Sequence, residues 1–195
     1  MVPFIGLTGG IGAGKSAALD ALQRLGAAVL STDAVVHELY ESPEVKDAVV
    51  ARFGASVLHR GSIDRAQLAR RAFAAPDDRA WLEGLLWPRV GARMRAWREQ
   101  LERASVPPRA AVVEVPLLFE ADMESVFDAT IAVVADEQLT SRRAAGRGHH
   151  ALAERSARQL PQQEKAARAT YVVVNDGTFD ELESQLAAIV EMLPR

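Results

Sequence analysis

The stretch FIGLTGGIGAGKSAA, Phe4 to Ala18, decides how the rest of the chain is read. An apolar run (Phe4, Ile5, Leu7) passes through four glycines into Ala18, Leu19, Leu22 and Leu25, which share one side of a helix that Gly26 can stop. Between them, Gly9-Gly10-Ile11-Gly12-Ala13-Gly14-Lys15-Ser16 fits the phosphate-loop pattern G-x-x-x-x-G-K-[ST] in the strand, loop, helix context that the pattern requires. Glycines let successive backbone N–H groups turn inward around anionic oxygens, and the positive end of the following helix dipole points at the same place. Gly10, Ile11, Gly12, Ala13, Gly14, Lys15, Ser16 and Ala17 are therefore expected to cradle the phosphates of a nucleotide. Lys15 adds a mobile charge near the β and γ phosphates. Ser16 offers a hydroxyl to Mg²⁺, a small hard ion that prefers oxygen ligands and keeps several waters.

Outward from the loop, composition sets modest bounds. The 195 residues are 49% apolar and 25% charged, enough for one well-cored domain plus a small excursion. No run approaches the ~20 apolar residues of a membrane helix, and the first residues enter a strand without a signal pattern, so no membrane association and a cytoplasmic location are expected. The absence of cysteine excludes disulfides, thiolate metal sites and cysteine catalysis. A formal charge of −3 argues against nucleic acid as a partner.

Apolar strand candidates alternate with helical segments: 3–8, 27–31, 110–115, 129–135 and 171–174. Asp33 lies just past the second of them, at the strand edge where doubly wound sheets bind ligands. It either faces that crevice as a functional acid or caps a helix from Ala34 to Tyr40. From Ala34 to Arg103 helical periodicity dominates and no strand is expected; Gly61-Ser62-Ile63-Asp64-Arg65 reads as a turn and a helix start. Pro88 should kink or break the helix spanning Asp77 to Arg103. Trp81 and Trp97 read as core, whereas Trp87 beside the proline is open to stacking on a flat ligand. Glu114 interrupts the third strand near its end, where an acid either holds a water of the Mg²⁺ shell or bonds to backbone.

Residues 141 to 168 carry seven basic side chains (Arg142, Arg143, Arg147, Arg155, Arg158, Lys165, Arg168) against Glu154 and Glu164. Such a run is commonly a solvated helix face. Beside a phosphate loop it also suits a lid whose arginines clamp phosphoryl oxygens and exclude water. Gly146 and Gly148 flank Arg147 as a flexible tip, and His149-His150 read as solvent-exposed because adjacent side chains point apart. Asn175, in the turn Asn175-Asp176-Gly177 after the last strand, either meets an adenine edge or serves the turn. Parallel strands with right-handed helical crossovers give a three-layer, doubly wound α/β fold with a five-stranded parallel sheet.

The chain resembles the dephospho-coenzyme A kinases across nearly its whole length. The resemblance rests on Gly6-Leu7-Thr8-Gly9-Gly10-Ile11-Gly12-Ala13-Gly14-Lys15-Ser16, Thr32-Asp33 with His37-Glu38-Leu39, and Gly61-Ser62-Ile63-Asp64-Arg65. It continues in Val115-Pro116-Leu117-Leu118-Phe119-Glu120, Arg155 with Gln159-Leu160-Pro161, Glu164-Lys165 and Asn175-Asp176-Gly177. The resemblance implies transfer of the γ-phosphoryl of ATP to the 3′-hydroxyl of dephospho-coenzyme A ribose, with ATP as donor, Mg²⁺ as cofactor and dephospho-coenzyme A as acceptor. It implies Asp33 as the base, with Lys15 and Arg147 beside it in catalysis. Thr8, Asp33, His37, Arg65, Pro116 and Leu117 would meet the acceptor, Asn175 would meet ATP, and Ser16 and Glu114 would serve the metal. It assigns 1–33, 104–136 and 169–195 to the nucleotide-binding core, 34–103 to acceptor binding and 137–168 to the lid.

The chain departs from the family pattern at three places. Ser31 stands where the family usually has the first acid of Asp-x-Asp, Trp87 where a histidine commonly precedes the proline, and Glu114 where an aspartate is usual. Among the lid arginines Arg147 fits best by its glycine neighbour, with Arg143 the alternative. Two rival functions share the phosphate loop: a nucleoside monophosphate or other small-molecule kinase, and a nucleotide-dependent switch. The chain has neither an Asn-Lys-x-Asp nor a D-x-x-G segment, which argues against the switch.

Overall fold

The computed structural model describes residues 1–145 and 159–194. Arg147, Gly146, Gly148, His149, His150, Glu154, Arg155 and Arg158 lie outside the described residues. In chain order the elements are β1 (Phe4–Gly9), α1 (Lys15–Arg24), β2 (Ala28–Ser31), α2 (Thr32–Glu41), α3 (Pro43–Phe53), β3 (Leu58–His59), β4 (Ser62–Ile63), α4 (Arg65–Ala72) and α5 (Pro76–Glu102). They continue with β5 (Ala111–Glu114), β6 (Ala129–Val134), α6 (Glu137–Ala145), α7 (Gln162–Arg168), β7 (Tyr171–Val174) and α8 (Phe179–Met192). The chain divides into two units, Met1–Ser31 with Arg98–Arg195, and Thr32–Trp97.

In the first unit the five expected strands pair in parallel in the order β2-β5-β1-β6-β7. Alternation along β1 sends Ile5 and Leu7 to one face and Phe4, Gly6 and Thr8 to the other. On the first face Ile5, Leu7, Val112, Ile131, Val133 and Val173 pack with Ala18, Ala21 and Leu22 of α1 and with Leu182, Leu186, Ile189 and Val190 of α8. On the other face a Cβ at Gly6 would stand 2.6 Å from Leu118 and 2.8 Å from Phe127, so glycine there lets the segment after β5 close onto the sheet. Cover on both faces explains why the central strands read as mainly apolar runs. Helix α1 stops as expected: Gly26 takes φ 85°, and the N–H of Ala27 reaches back to Leu22 O at 3.0 Å. Helix α8 starts at a capping box between Thr178 and Glu181.

In the second unit Tyr40, Val45, Val49, Phe53, Val57, Ile63, Leu68, Ala72, Leu82 and Leu86 form a separate core. Trp81 packs against it, edge-on to Phe53 at 5.6 Å, while Trp87 is 54% exposed. Asp64 caps α4, its Oδ1 accepting from the N–H groups of Ala66 and Gln67, both at 3.0 Å.

Three local expectations are corrected here. Strands do occur between Ala34 and Arg103: β3 and β4 form a hairpin across Arg60 and Gly61, both at positive φ. Two-residue strands are too short to print an alternating pattern. Pro88 does not break α5, which runs on through it. Pro88 and Gly84 are both exposed, so the carbonyl that loses its N–H partner faces water, and buried Leu82, Leu86, Val90 and Met94 continue the helix on either side. Helix α2 begins at Thr32, so Asp33 stands within its first turn and is not the residue ahead of it. Among the described residues no helix is long and apolar enough to cross a membrane.

Candidate active site

The phosphate loop sits where β1 ends and α1 begins. The Lys15 side chain turns back over it, and Nζ donates to Gly9 O at 2.9 Å and Gly10 O at 3.1 Å. Ala13 N–H closes on Gly10 O at 3.2 Å. Gly14 leads into α1 with φ 98°, no side chain caps the helix start, and its first turn carries no acid. The positive end of α1 is thus presented to an anion instead of being neutralised by the protein. Ser16 is exposed in that first turn, within the same element as Lys15 and Ala17.

Two elements close on the loop from the β6 and β7 side. A Cβ at Gly12 would lie 2.4 Å from the Thr140 carbonyl of α6, and one at Gly14 would lie 1.9 Å from Asn175 Nδ2. Both glycines hold positive φ as well, so each is required by conformation and by space. Asn175 is buried, and its Nδ2 donates to Ala13 O at 2.8 Å. Its own carbonyl accepts from Arg143 Nη1 at 3.1 Å. Asn175 therefore braces the loop, and of the two lid candidates Arg143 is placed beside it.

On the other side of β1 lies the exit of β5. Glu114 ends that strand, half-buried, in register with Leu7 of β1 and Ser31 of β2. Among the described residues no cluster of three or more His, Cys, Asp or Glu side chains could hold a metal unaided. The hard oxygen donors offered by Ser16 and Glu114 suit Mg²⁺ carried by phosphates and water. Past Glu114, the Pro116 carbonyl accepts from Lys165 Nζ at 2.8 Å, Gln159 Nε2 at 3.2 Å and Thr8 Oγ1 at 3.4 Å. Lys165 also pairs with Glu120 Oε1 at 2.8 Å, and Leu160 N–H donates to that oxygen at 2.7 Å.

Lys165 belongs in this cluster and not on a solvated or mobile basic face, because its side chain is fully buried. Burial pulls its pKa below the usual lysine value, while the hydrogen bond and charge of Glu120 hold it up. Arg168 lies over the Phe119 ring and pairs with Glu124 and Asp122. Of the basic run, only Arg142 and Arg143 are seen on α6, beside the loop. Lys165, Glu120 and Gln159 escape a reading of the sequence because their partners lie 40 or more residues away. A usable signal is compositional: only three of the 23 basic residues are lysines, at 15, 46 and 165.

The second unit carries the remaining candidates. Asp33 and His37 stand one turn apart on the same exposed face of α2. Arg65 opens α4, exposed, with its charge within reach of the Tyr40 hydroxyl at the far end of α2. Burial pushes Tyr40 up to about 12.

The family model for dephospho-CoA kinase (CoaE) matches residues 3–181. The chain belongs to the dephospho-CoA kinase family. It is therefore an ATP-dependent kinase, a transferase of the last step of coenzyme A biosynthesis. A dephospho-CoA kinase of Deinococcus radiodurans is 40% identical over 97% of this chain and 91% of its own. Among solved structures, TT1252 from Thermus thermophilus superposes with a TM-score of 0.80 at 34% identity, covering 100% of this chain and 99% of that one. Dephospho-CoA kinase from Campylobacter jejuni shares the fold, with a TM-score of 0.70 at 21% identity over 98% of this chain and 96% of that one. The parallel α/β sheet expected from the alternating strands and the P-loop kinase type implied by the family resemblance are thereby confirmed.

Proposed function

We propose that this chain, in the cytoplasm, transfers the γ-phosphoryl of ATP to the ribose 3′-hydroxyl of dephospho-coenzyme A, giving coenzyme A and ADP. The observation that carries the donor half is the uncapped, acid-free start of α1 behind a glycine turn over which Lys15 is already folded. On ATP binding, the backbone N–H groups of Gly10 to Ala17 take the phosphate oxygens and Lys15 exchanges its carbonyl partners for them. The Ser16 hydroxyl and, through water, Glu114 would hold Mg²⁺, which would supply charge neutralisation for the phosphate oxygens.

Asp33 accepts the proton of the 3′-hydroxyl as its oxygen bonds to the γ phosphorus. The bond from that phosphorus to the β–γ bridging oxygen breaks, and ADP leaves with the electron pair. His37, one turn from Asp33 on α2, and Arg65 at the start of α4 are assigned to the acceptor, as are Thr8, Pro116 and Leu117 in the first unit. The second unit as a whole is assigned to acceptor binding. Arg143 and Arg147 are assigned to charge on the transferring phosphoryl group, within the lid expected over 137–168, of which the buried Lys165 is a fixed part.

The test is a single-turnover assay with labelled ATP against dephospho-coenzyme A, nucleoside monophosphates and shikimate. Label is expected only in coenzyme A. Transfer to a nucleoside monophosphate at a comparable rate would move the assignment to the other small-molecule kinases.

A further inference from the structure

Sheet order separates the two substrates' territories. β1 carries the phosphate loop, and the two elements that close on it, α6 and the turn at Asn175, follow β6 and β7 on one side. On the other side β5 stands between β1 and β2, and β2 leads directly into Thr32-Asp33. The segment leaving β5, Val115 to Glu120, therefore emerges on the flank of the loop opposite α6 and the Asn175 turn. Ligands of such sheets sit beyond the carboxyl ends of the strands, so this segment is the wall that an acceptor would meet.

That wall is held by one buried cation. Lys165 reaches from α7 to the Pro116 carbonyl, to Thr8 Oγ1 at 3.4 Å and to Glu120 Oε1. Three donors converge on the Pro116 carbonyl. Such a charge costs several kcal/mol of desolvation, and an apolar pair of the same volume is often as stable. Glu120 Oε2 is buried without a hydrogen-bond partner among the described residues, so the pair is not optimised for stability alone. A lysine in a chain that otherwise uses arginine also fits a cavity that needs a compact point charge with three donors, which a planar guanidinium cannot supply.

We propose that Lys165, charge-balanced by Glu120, is a positioning residue for the acceptor: it fixes Pro116 and Thr8 so that the 3′-hydroxyl is presented in line with the γ phosphorus. Lys165 acts through those two groups and touches no substrate itself. The proposal rests on the acceptor assignment made under Proposed function.

The experiment compares the intact chain with Lys165→Met and with the paired Lys165→Met/Glu120→Gln variant, in which no uncompensated carboxylate is left in the interior. Steady-state kinetics with dephospho-coenzyme A are measured beside equilibrium binding of a non-hydrolysable ATP analogue and thermal melting. A misplaced reactant costs up to about 10²-fold, so the paired variant is expected to lose ~10-fold or more in kcat/KM for dephospho-coenzyme A. Its ATP-analogue Kd should stay within about twofold, with a melting curve that shows it folded. Lys165→Arg should fail to rescue the loss. Equal losses for analogue and acceptor would make the cluster a general support of the fold and overturn the proposal, as would unchanged acceptor kinetics in the folded paired variant. If the unaltered protein does not phosphorylate dephospho-coenzyme A, the acceptor assignment itself falls and the proposal with it; that result is distinguishable because it appears before any substitution.

Discussion

Lys15 and Lys165 both end on backbone carbonyl oxygens in the first unit, yet they are opposite kinds of lysine. Lys15 is half-buried, bonded to Gly9 and Gly10 at the mouth of an uncapped helix. Lys165 is fully buried and locked to Glu120 and Pro116. A lysine folded over the loop's own carbonyls can turn to phosphate. One neutralised by a buried carboxylate cannot. The comparison separates a charge kept for the substrate from a charge used on the protein.

The largest expected effect tests the first half. Lys15→Ala should lower turnover by ~10³-fold, the scale of removing one charge-stabilising group from a transition state. Melting should change less than turnover, because the bonds lost at Gly9 and Gly10 are to neutral carbonyl oxygens. A large drop in thermal stability with modest loss of rate would make Lys15 structural and erase the contrast. Lys165→Ala should invert the pattern in stability, costing ~3–5 kcal/mol by chemical denaturation, since Glu120 is left buried without its cation. A loss below ~1 kcal/mol would mean that the pair is solvated in solution.

The two lysines also show what could be read from the amino-acid order. The phosphate loop is legible because every part of it is local: Gly9 to Ser16 encode turn, close approach and helix start within eight residues. The five strands are legible for a related reason, as the central ones are covered on both faces and all five runs are mainly apolar, although Val172 and Val174 of the edge strand β7 stay exposed. Lys165 is illegible because the same letter in a basic run describes a solvated face equally well, and its partners at 8, 116 and 120 are set by topology. Asn175 was open between two roles, and packing against Gly14 rather than any local signal gives it the task of bracing the loop. Pro88 misleads for the converse reason. A strong local rule yields there to a helix that buries residues on both sides and loses only a solvent-facing bond.

Asp33 extends the contrast to the acceptor side. Asp33→Asn keeps the size and the place in the first turn of α2 but cannot accept a proton. Transfer is expected to fall by ~10²-fold, with ATP-analogue affinity within about twofold, the general-base scale. Parallel loss of analogue binding would turn Asp33 into a structural acid. Rescue of the rate as pH rises would indicate hydroxide in place of the carboxylate.

The smallest effect concerns burial without an ionic partner. Tyr40 in the second unit is held neutral up to about 12, whereas an unfolded chain ionises it near 10. Between those values the unfolded state holds fewer protons than the folded one, so stability must fall as pH rises from about 10 to 12. Lys165 acts in the opposite sense: its folded pKa is lowered, so the proton is bound more tightly by the unfolded chain and its contribution rises with pH below the usual lysine value of 10.5. Tyr40→Phe should remove ~2 kcal/mol of the alkaline loss, about two units at ~1.4 kcal/mol each, less for partial solvation. Denaturant titrations of the substituted and unaltered chains at pH 9 and pH 11.5 read it directly. The two should differ in slope with pH while agreeing within ~1 kcal/mol at pH 8, because a hydroxyl that costs only on ionisation has nothing to lose below its unfolded pKa. Equal alkaline slopes would place the Tyr40 hydroxyl in water and leave Lys165 the clearest case of a group whose titration is set by burial.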